Sequence, residues 1–343
     1  MIATWRRRRG LVLSLLTLAS MSPVAAQEAG GAADGPVPQA PRPRAAPGFV
    51  LSEFAVGLER PVALFALPNG DLIVEESATE EHPGRAFTLR DADRDGVAER
   101  RVPLRVDLAA PAAWLLRRDR LYRAHAAGLE RCAFLVGQLA PLSTCRVLAE
   151  PGNVATDAPV ALAMYPDESR LVVLNGNGVH SLLPDGSDTR PLGTDTARRA
   201  TTLAVEPRLA RVWVAFGPES ADASSTVTLR PLPAGSVPGD TVSIPAAAAP
   251  TALVFYRRRA LPPELHGAAL LAVSAGSGAA VTPARVVAIP FAAGRPSGPP
   301  RDLLVGRGTP GRFQPTAIAV LSNGVVVVAD AASGTLWRLD FVP

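Results

Sequence analysis

Asp91-Ala92-Asp93-Arg94-Asp95-Gly96 alternates three carboxylates with other residues and closes on glycine, the pattern of a loop that surrounds a hard cation with oxygen ligands. Glu99 offers a fourth carboxylate, yet position twelve of a helix-loop-helix calcium site falls on Val102 and no helical pattern flanks the loop. The same residues equally build a solvated hairpin turn. Glu75 and Glu76 end an apolar run, where paired carboxylates can bind a cation or divide acid and base roles. Strand alternation predicts one of the two facing inward and the other facing solvent. Cys132 and Cys145, thirteen residues apart, are the only cysteines. In an oxidising compartment they could bridge across one hairpin, worth roughly 3 kcal/mol if unstrained; the other reading is two buried thiols, since no neighbouring ligand completes a metal site. His82, His125, His180 and His266 are too scattered for metal spacing, and no serine occupies a Gly-x-Ser-x-Gly turn. All 35 basic residues are arginine, which excludes a Schiff-base or phosphate-loop lysine.

The elements that must position these groups announce themselves by repetition. A tight polar turn followed by a short apolar run recurs six times, beginning with Pro68-Asn69-Gly70-Asp71 before Leu72-Ile73-Val74 and ending with Ser322-Asn323-Gly324 before Val325-Val326-Val327-Val328. The runs start at 72, 121, 171, 212, 270 and 325, so successive steps are 49, 50, 41, 58 and 55 residues. Each turn suits a hairpin, and each run suits a strand buried on both faces. A four-stranded propeller blade occupies about 40 to 50 residues. Six such units predict an all-β, six-bladed β-propeller, because a lone blade cannot cover its two faces and a closed ring can. Trp213 and Trp337 fall within apolar strand phrases and are expected to pack between blades; with Trp114 they are too few for a stacked sugar platform.

Residues 1–26 combine Arg6 to Arg9, an apolar stretch from Leu11 to Leu18, and Val24 and Ala26 before Gln27, which predicts an export signal rather than a membrane span. The expected location is periplasmic or secreted. The formal charge of +4 equals the four arginines of that segment, so the remainder sits near zero (+4 − 4 = 0) and carries no footprint for nucleic acid or an anionic membrane. Residues 27–47 are rich in Ala, Gly and Pro and are expected to form a loose leader outside the fold, leaving 48–343 for the propeller.

The phrases Gly48 to Ser77, Leu89 to Glu99, Phe255 to Val273, Arg285 to Pro299 and Gln314 to Phe341 resemble, in order, the soluble quinoprotein glucose/sorbosone dehydrogenases. The resemblance implies a six-bladed propeller that binds pyrroloquinoline quinone (PQQ), often with calcium, and oxidises sugars or related alcohols and aldehydes. It also implies particular residues. The family's abstracting histidine falls here at about Asp157, a weak base unless burial raises its pKa. The Arg-Asn pair that grips the quinone corresponds to Arg198-Arg199, where only Arg198 matches. The calcium-binding stretch reads Phe216-Gly217-Pro218-Glu219-Ser220, with one carboxylate, and the His-Gly-Ser-Trp-Asn-Arg segment reads Ser274-Ala275-Gly276-Ser277-Gly278-Ala279. An Arg-Pro pair before the last blade becomes Gln314-Pro315, and the acidic pair after its strand becomes Asp330-Ala331.

Five altered positions imply a degenerate member that keeps the scaffold to bind a sugar-like small molecule, a glycan or a periplasmic protein. The rival is an active PQQ-dependent sugar or aldehyde dehydrogenase using Asp157, Arg198 and Glu76 in a rearranged site. A second rival is a metal-dependent lactonase-like hydrolase, since other six-bladed propellers hold a cation in the axial channel; Glu76, Asn175 and Asp330 are its candidate ligands.

Overall fold

The six turn-and-strand phrases become the first hairpins of six antiparallel sheets. In the computed structural model these sheets form a six-bladed β-propeller. It describes residues 42–343 apart from 109–110, 126–127, 144, 150–159, 177, 194–199, 219–224, 233–239, 247, 277–281 and 309–310. The expected export signal, Asp157, Arg198 and Arg199 lie outside the described residues.

Each blade runs outward from the axis. The innermost strands are Pro61–Ala66, Ala112–Arg117, Ala161–Met164, Ala200–Glu206, Pro250–Phe255 and Pro315–Val320. The second strands are Leu72–Glu76, Arg120–His125, Leu171–Asn175, Arg211–Phe216, Ala269–Val273 and Val326–Asp330, which contain the six apolar runs of the sequence. Third strands follow at Gly84–Arg90, Gly128–Ala133, Gly178–Leu182, Thr226–Leu232, Arg285–Ile289 and Thr335–Phe341. The outermost strand of the sixth blade comes from the other end of the chain: Phe49–Ala55 pairs with Thr335–Phe341 from Phe49 opposite Phe341 to Ala55 opposite Leu336. The ring is thereby closed by hydrogen bonds between its two ends.

Part of the expected leader joins the fold. Arg44–Ala45 pairs with Arg301–Val305 as a fifth strand of the fifth blade, and Arg42 donates to Glu53 at 2.7 Å on the sixth. Residues 42–55 thus bridge two neighbouring blades.

The core lies between blades. In Leu72–Glu76, Leu72 and Val74 pack with Val325, Val327 and Leu336 of the sixth blade, while Ile73 packs with Trp114 and Leu121 of the second. Every residue of that strand is buried because successive side chains meet different neighbouring blades. Trp213 sits edge-on to Phe291 at 5.0 Å between the fourth and fifth blades. Among the described residues the only helix is a single turn at Pro263–Leu265. Cys132 and Cys145 are joined by a disulfide between the third and outermost strands of the second blade.

Thr251 Oγ1 donates to the Pro315 carbonyl and Thr316 Oγ1 to the Pro61 carbonyl, each at 2.6 Å, so innermost strands of adjacent blades begin side by side and run the same way. The face where they begin is termed the upper face; the face where they end, the lower.

Candidate functional site

Second strands run opposite to the innermost ones and therefore end at the upper face, which carries Glu75, Glu76 and Asp330. Asp157 precedes the third innermost strand, and Arg198 and Arg199 precede the fourth, in segments outside the described residues.

Glu76 has no exposed surface. Its Oε2 accepts from Arg85 Nε at 2.6 Å, and its Oε1 accepts from Arg101 at 2.5 Å and from the Glu59 amide at 3.0 Å. Both oxygens are occupied by charge-assisted donors, the arrangement that makes a buried carboxylate tolerable. The expectation that one of the pair faces solvent fails: Glu75 is buried as well, because both faces of a blade strand are covered by neighbouring blades. It accepts from Trp114 Nε1 at 2.7 Å and from Arg123 at 3.2 Å, and the Arg123 guanidinium lies 5.6 Å from the Trp114 ring. Burial pushes the Glu75 pKa up, against the pull of the Arg123 charge.

Asp330 repeats the device at the matching position of the sixth blade. Oδ1 accepts from the amides of Gln314 (2.9 Å) and Ala332 (3.1 Å); Oδ2 accepts from Ser333 Oγ (2.6 Å) and Trp337 Nε1 (3.2 Å). It fastens the turn that follows its strand. Neither Glu76 nor Asp330 belongs to a metal-ligating group of three or more His, Cys, Asp or Glu side chains among the described residues. Their oxygens serve the chain's own donors instead.

Three of the four histidines are engaged as well. His82 lies between the Glu59 carboxylate and the Pro83 carbonyl, and His266 Nε2 is 2.9 Å from the Leu261 carbonyl. His125 sits 3.5 Å from Glu130, which also accepts from Arg105 at 2.5 Å. Donation from His125, with that from Arg105, holds the Glu130 pKa down at about 2.

One group among the described residues has metal-ligand geometry. Carboxylate oxygens of Asp91, Asp93, Asp95 and Glu99 all lie within 4.8 Å of one another, so this set could hold a hard divalent cation. The loop is also braced by its own amides: Gly96 to Asp91 (3.0 Å), Asp95 to Asp93 (3.1 Å), Val97 to Asp95 (2.8 Å) and Ala92 to Glu99 (2.7 Å). It links third and outermost strands of the first blade at the lower face, the opposite end of the blade from Glu76.

A cavity of about 720 Å³ follows the axis. Its walls are runs of consecutive residues, such as Val62 to Ala66 and Thr316 to Val320, rather than alternate ones. Consecutive lining means that the innermost strands present their unpaired edges, with peptide N–H and C=O groups, to the axis. The charged residues lining it are Glu168, Arg257 and Arg258, all just beyond the ends of innermost strands and hence at the lower mouth.

The arginines at Arg85, Arg101 and Arg123 are functional in the sense that they neutralise the expected site carboxylates, and sequence reasoning does not single them out. The available signal is register: Arg85 lies directly opposite Glu76 across the first blade.

No protein-family model and no curated protein matches this chain. Solved structures do. The calcium structure of a Trichoderma reesei Carbohydrate-Active Enzymes Family AA12 protein superposes with a TM-score of 0.69 at 14% identity, covering 88% of this chain and 97% of the other. The chain has their fold. The holo PQQ domain of pyranose dehydrogenase from Coprinopsis cinerea gives 0.66 at 13% identity over 88% and 98% of the two chains. The PQQ-bound aldose sugar dehydrogenase of Streptomyces coelicolor gives 0.58 at 15% over 87% and 99%. The propeller therefore shares its architecture with PQQ-binding sugar dehydrogenases, as the resemblance in sequence implies.

Proposed function

We propose that this propeller is a binding scaffold of the quinoprotein dehydrogenase fold in which quinone-dependent oxidation has been lost, and that its ligand is a sugar-like small molecule reached outside the cytoplasm. The observation that carries this reading is the state of Glu76 and Asp330. Seven donors of the chain itself fill their four oxygens, three on Glu76 and four on Asp330, leaving neither carboxylate a free oxygen for calcium or for a substrate proton. Ser274, Ala275 and Gly276 begin the segment where the family carries His, Trp and Arg, so no imidazole or guanidinium is supplied there. As engaged by the chain's own donors, Glu76 and Asp330 do not fit a calcium site beside PQQ, which supports the scaffold reading.

The solved neighbours, a pyranose dehydrogenase domain and an aldose sugar dehydrogenase, support a sugar-like ligand, and the near-neutral charge after the expected export signal supports a small neutral or singly charged one. The test is dye reduction by residues 27–343, supplied with PQQ and calcium, across a panel of aldoses, alditols and aldehydes. Reduction above the protein-free rate for none of them is the expected result. Substrate-dependent reduction that Arg198→Ala and Asp157→Asn remove would establish the dehydrogenase instead, and metal-dependent lactone hydrolysis would establish the hydrolase.

A further inference from the structure

We propose that the lower mouth of the axial cavity is a binding site for a slender polyhydroxy carboxylate, held by Arg257 and Arg258 at the mouth with its hydroxylated body inside the channel. This names the ligand class of the binding-scaffold reading and rests on it.

The lower mouth is built from the turns that leave the innermost strands. Arg257 and Arg258 follow Pro250–Phe255 directly, and the fifth blade's turn is fixed beneath them by Tyr256, whose hydroxyl donates to the Gly324 carbonyl and accepts from the amides of Ala260 and Leu261, each at 3.0 Å. Tyr256 is fully buried, so the backbone that carries the two arginines is anchored. Neither guanidinium forms a hydrogen bond or an ion pair among the described residues, whereas Arg85, Arg90, Arg101, Arg105, Arg170, Arg211 and Arg338 each hold a carboxylate within 3 Å. The turns crowd Arg257 enough that desolvation lowers its pKa, with the Glu206 charge opposing the shift. Glu206 itself is committed to the amides of Arg208 (2.8 Å) and Leu209 (2.7 Å). Glu168, the other acid at the mouth, faces Arg117 at 3.4 Å and Arg118 at 3.8 Å. Positive charge is left over at the mouth of a cavity whose volume lies within the roughly 300–1,000 Å³ typical of small-molecule sites.

The chemistry of the walls selects the ligand. A guanidinium fork pairs best with a planar carboxylate. Deeper in, alanines such as Ala63, Ala163, Ala204 and Ala252 keep the lumen open, and the strand edges offer both donors and acceptors with no fixed charge. A hydroxyl both donates and accepts, so a polyol chain can satisfy either kind of peptide group. A hydrocarbon tail would strip water from those groups without replacing it, leaving each one unpaired. The site therefore disfavours fatty acids and favours sugar acids.

Gluconate is the probe. Calorimetric titration of residues 27–343 should show saturable one-to-one binding, with sorbitol and acetate each weaker by at least about tenfold, since each lacks half of the recognition. The double variant Arg257→Gln, Arg258→Gln should lose at least about tenfold, while Arg146→Gln, on the exposed outer strand of the second blade, should bind as the parent does. Gluconate should also slow phenylglyoxal modification of Arg257 and Arg258 in the unaltered protein, read by peptide mass, a measurement independent of whether the variant folds. Absence of saturable binding, equal affinity for sorbitol or for inorganic phosphate, or unchanged modification rates would overturn the proposal. PQQ-driven dye reduction would sink the scaffold reading by itself, without altering the gluconate result.

Discussion

Replacing Glu76 by Gln separates a structural carboxylate from a metal ligand. The substitution keeps shape and volume but removes the charge and replaces one acceptor oxygen by an NH2 group that faces an arginine donor. Two charge-assisted bonds, from Arg85 at 2.6 Å and Arg101 at 2.5 Å, are affected. At about 1.5–3 kcal/mol each they total about 3–6 kcal/mol. The two guanidiniums are 30% and 32% exposed, so water recovers part of their solvation once the carboxylate is neutral. The expected net loss is about 2–4 kcal/mol. For a domain of this size roughly 2 °C of melting temperature accompanies each kcal/mol, giving a fall of about 4–8 °C by calorimetry at pH 7. The dependence of melting on added calcium should be the same in parent and variant. A variant that melts within about 1 °C of the parent but loses a calcium-induced stabilisation would refute the structural reading and restore Glu76 as a ligand.

Deleting residues 42–55 should abolish cooperative unfolding, because it removes the strand Phe49–Ala55 that closes the sixth blade and the pairing of Arg44–Ala45 on the fifth; near-UV circular dichroism reads the loss. Glu130→Gln tests a pH dependence whose sign is fixed. Glu130 has a folded pKa of about 2 against an ordinary value of 4.5, so its stabilisation is complete above 4.5 and disappears as pH falls from 4.5 to 2. The depression caps the effect at about 3 kcal/mol, and screening at the partly open site leaves about 1–2 kcal/mol. Parent and variant should differ by that amount in urea denaturation at pH 7 and converge near pH 2. Gly334→Ala should destabilise by more than about 2 kcal/mol in the same assay, because Gly334 has φ +65° and an added Cβ would lie 2.0 Å from the Leu58 carbonyl oxygen.

The ring was legible because its strands are buried on both faces. Runs such as Leu72-Ile73-Val74 and Val325-Val326-Val327-Val328 read as apolar throughout, and they recur every 41 to 58 residues, close to the length of one blade, so number and class of blades follow from spacing. The same double burial defeats alternation at Glu75 and Glu76: where each face of a strand meets another blade, no position is left for solvent. The leader was legible only in composition. Arg44 and Ala45 carry no strand signal, and they pair because Arg301–Val305 offers an open edge 256 positions or more along the chain (301 − 45 = 256). The arginine partners of Glu76 and Glu75 were hidden for a different reason. In a chain whose every basic residue is arginine, nothing local distinguishes Arg101 or Arg123 from a surface arginine until the register is known. The acid loop at Asp91 was visible as a motif, and its carboxylates do converge, at the face opposite Glu76.

The measurement closest to the central claim is an equilibrium titration of residues 27–343 with PQQ at micromolar concentration in the presence of calcium, followed by visible absorbance and equilibrium dialysis. No saturable retention of the quinone and an unchanged melting temperature are the expected result. Stoichiometric retention with a shifted quinone spectrum, lost in Arg198→Ala, would contradict it and place this propeller among the working quinoproteins.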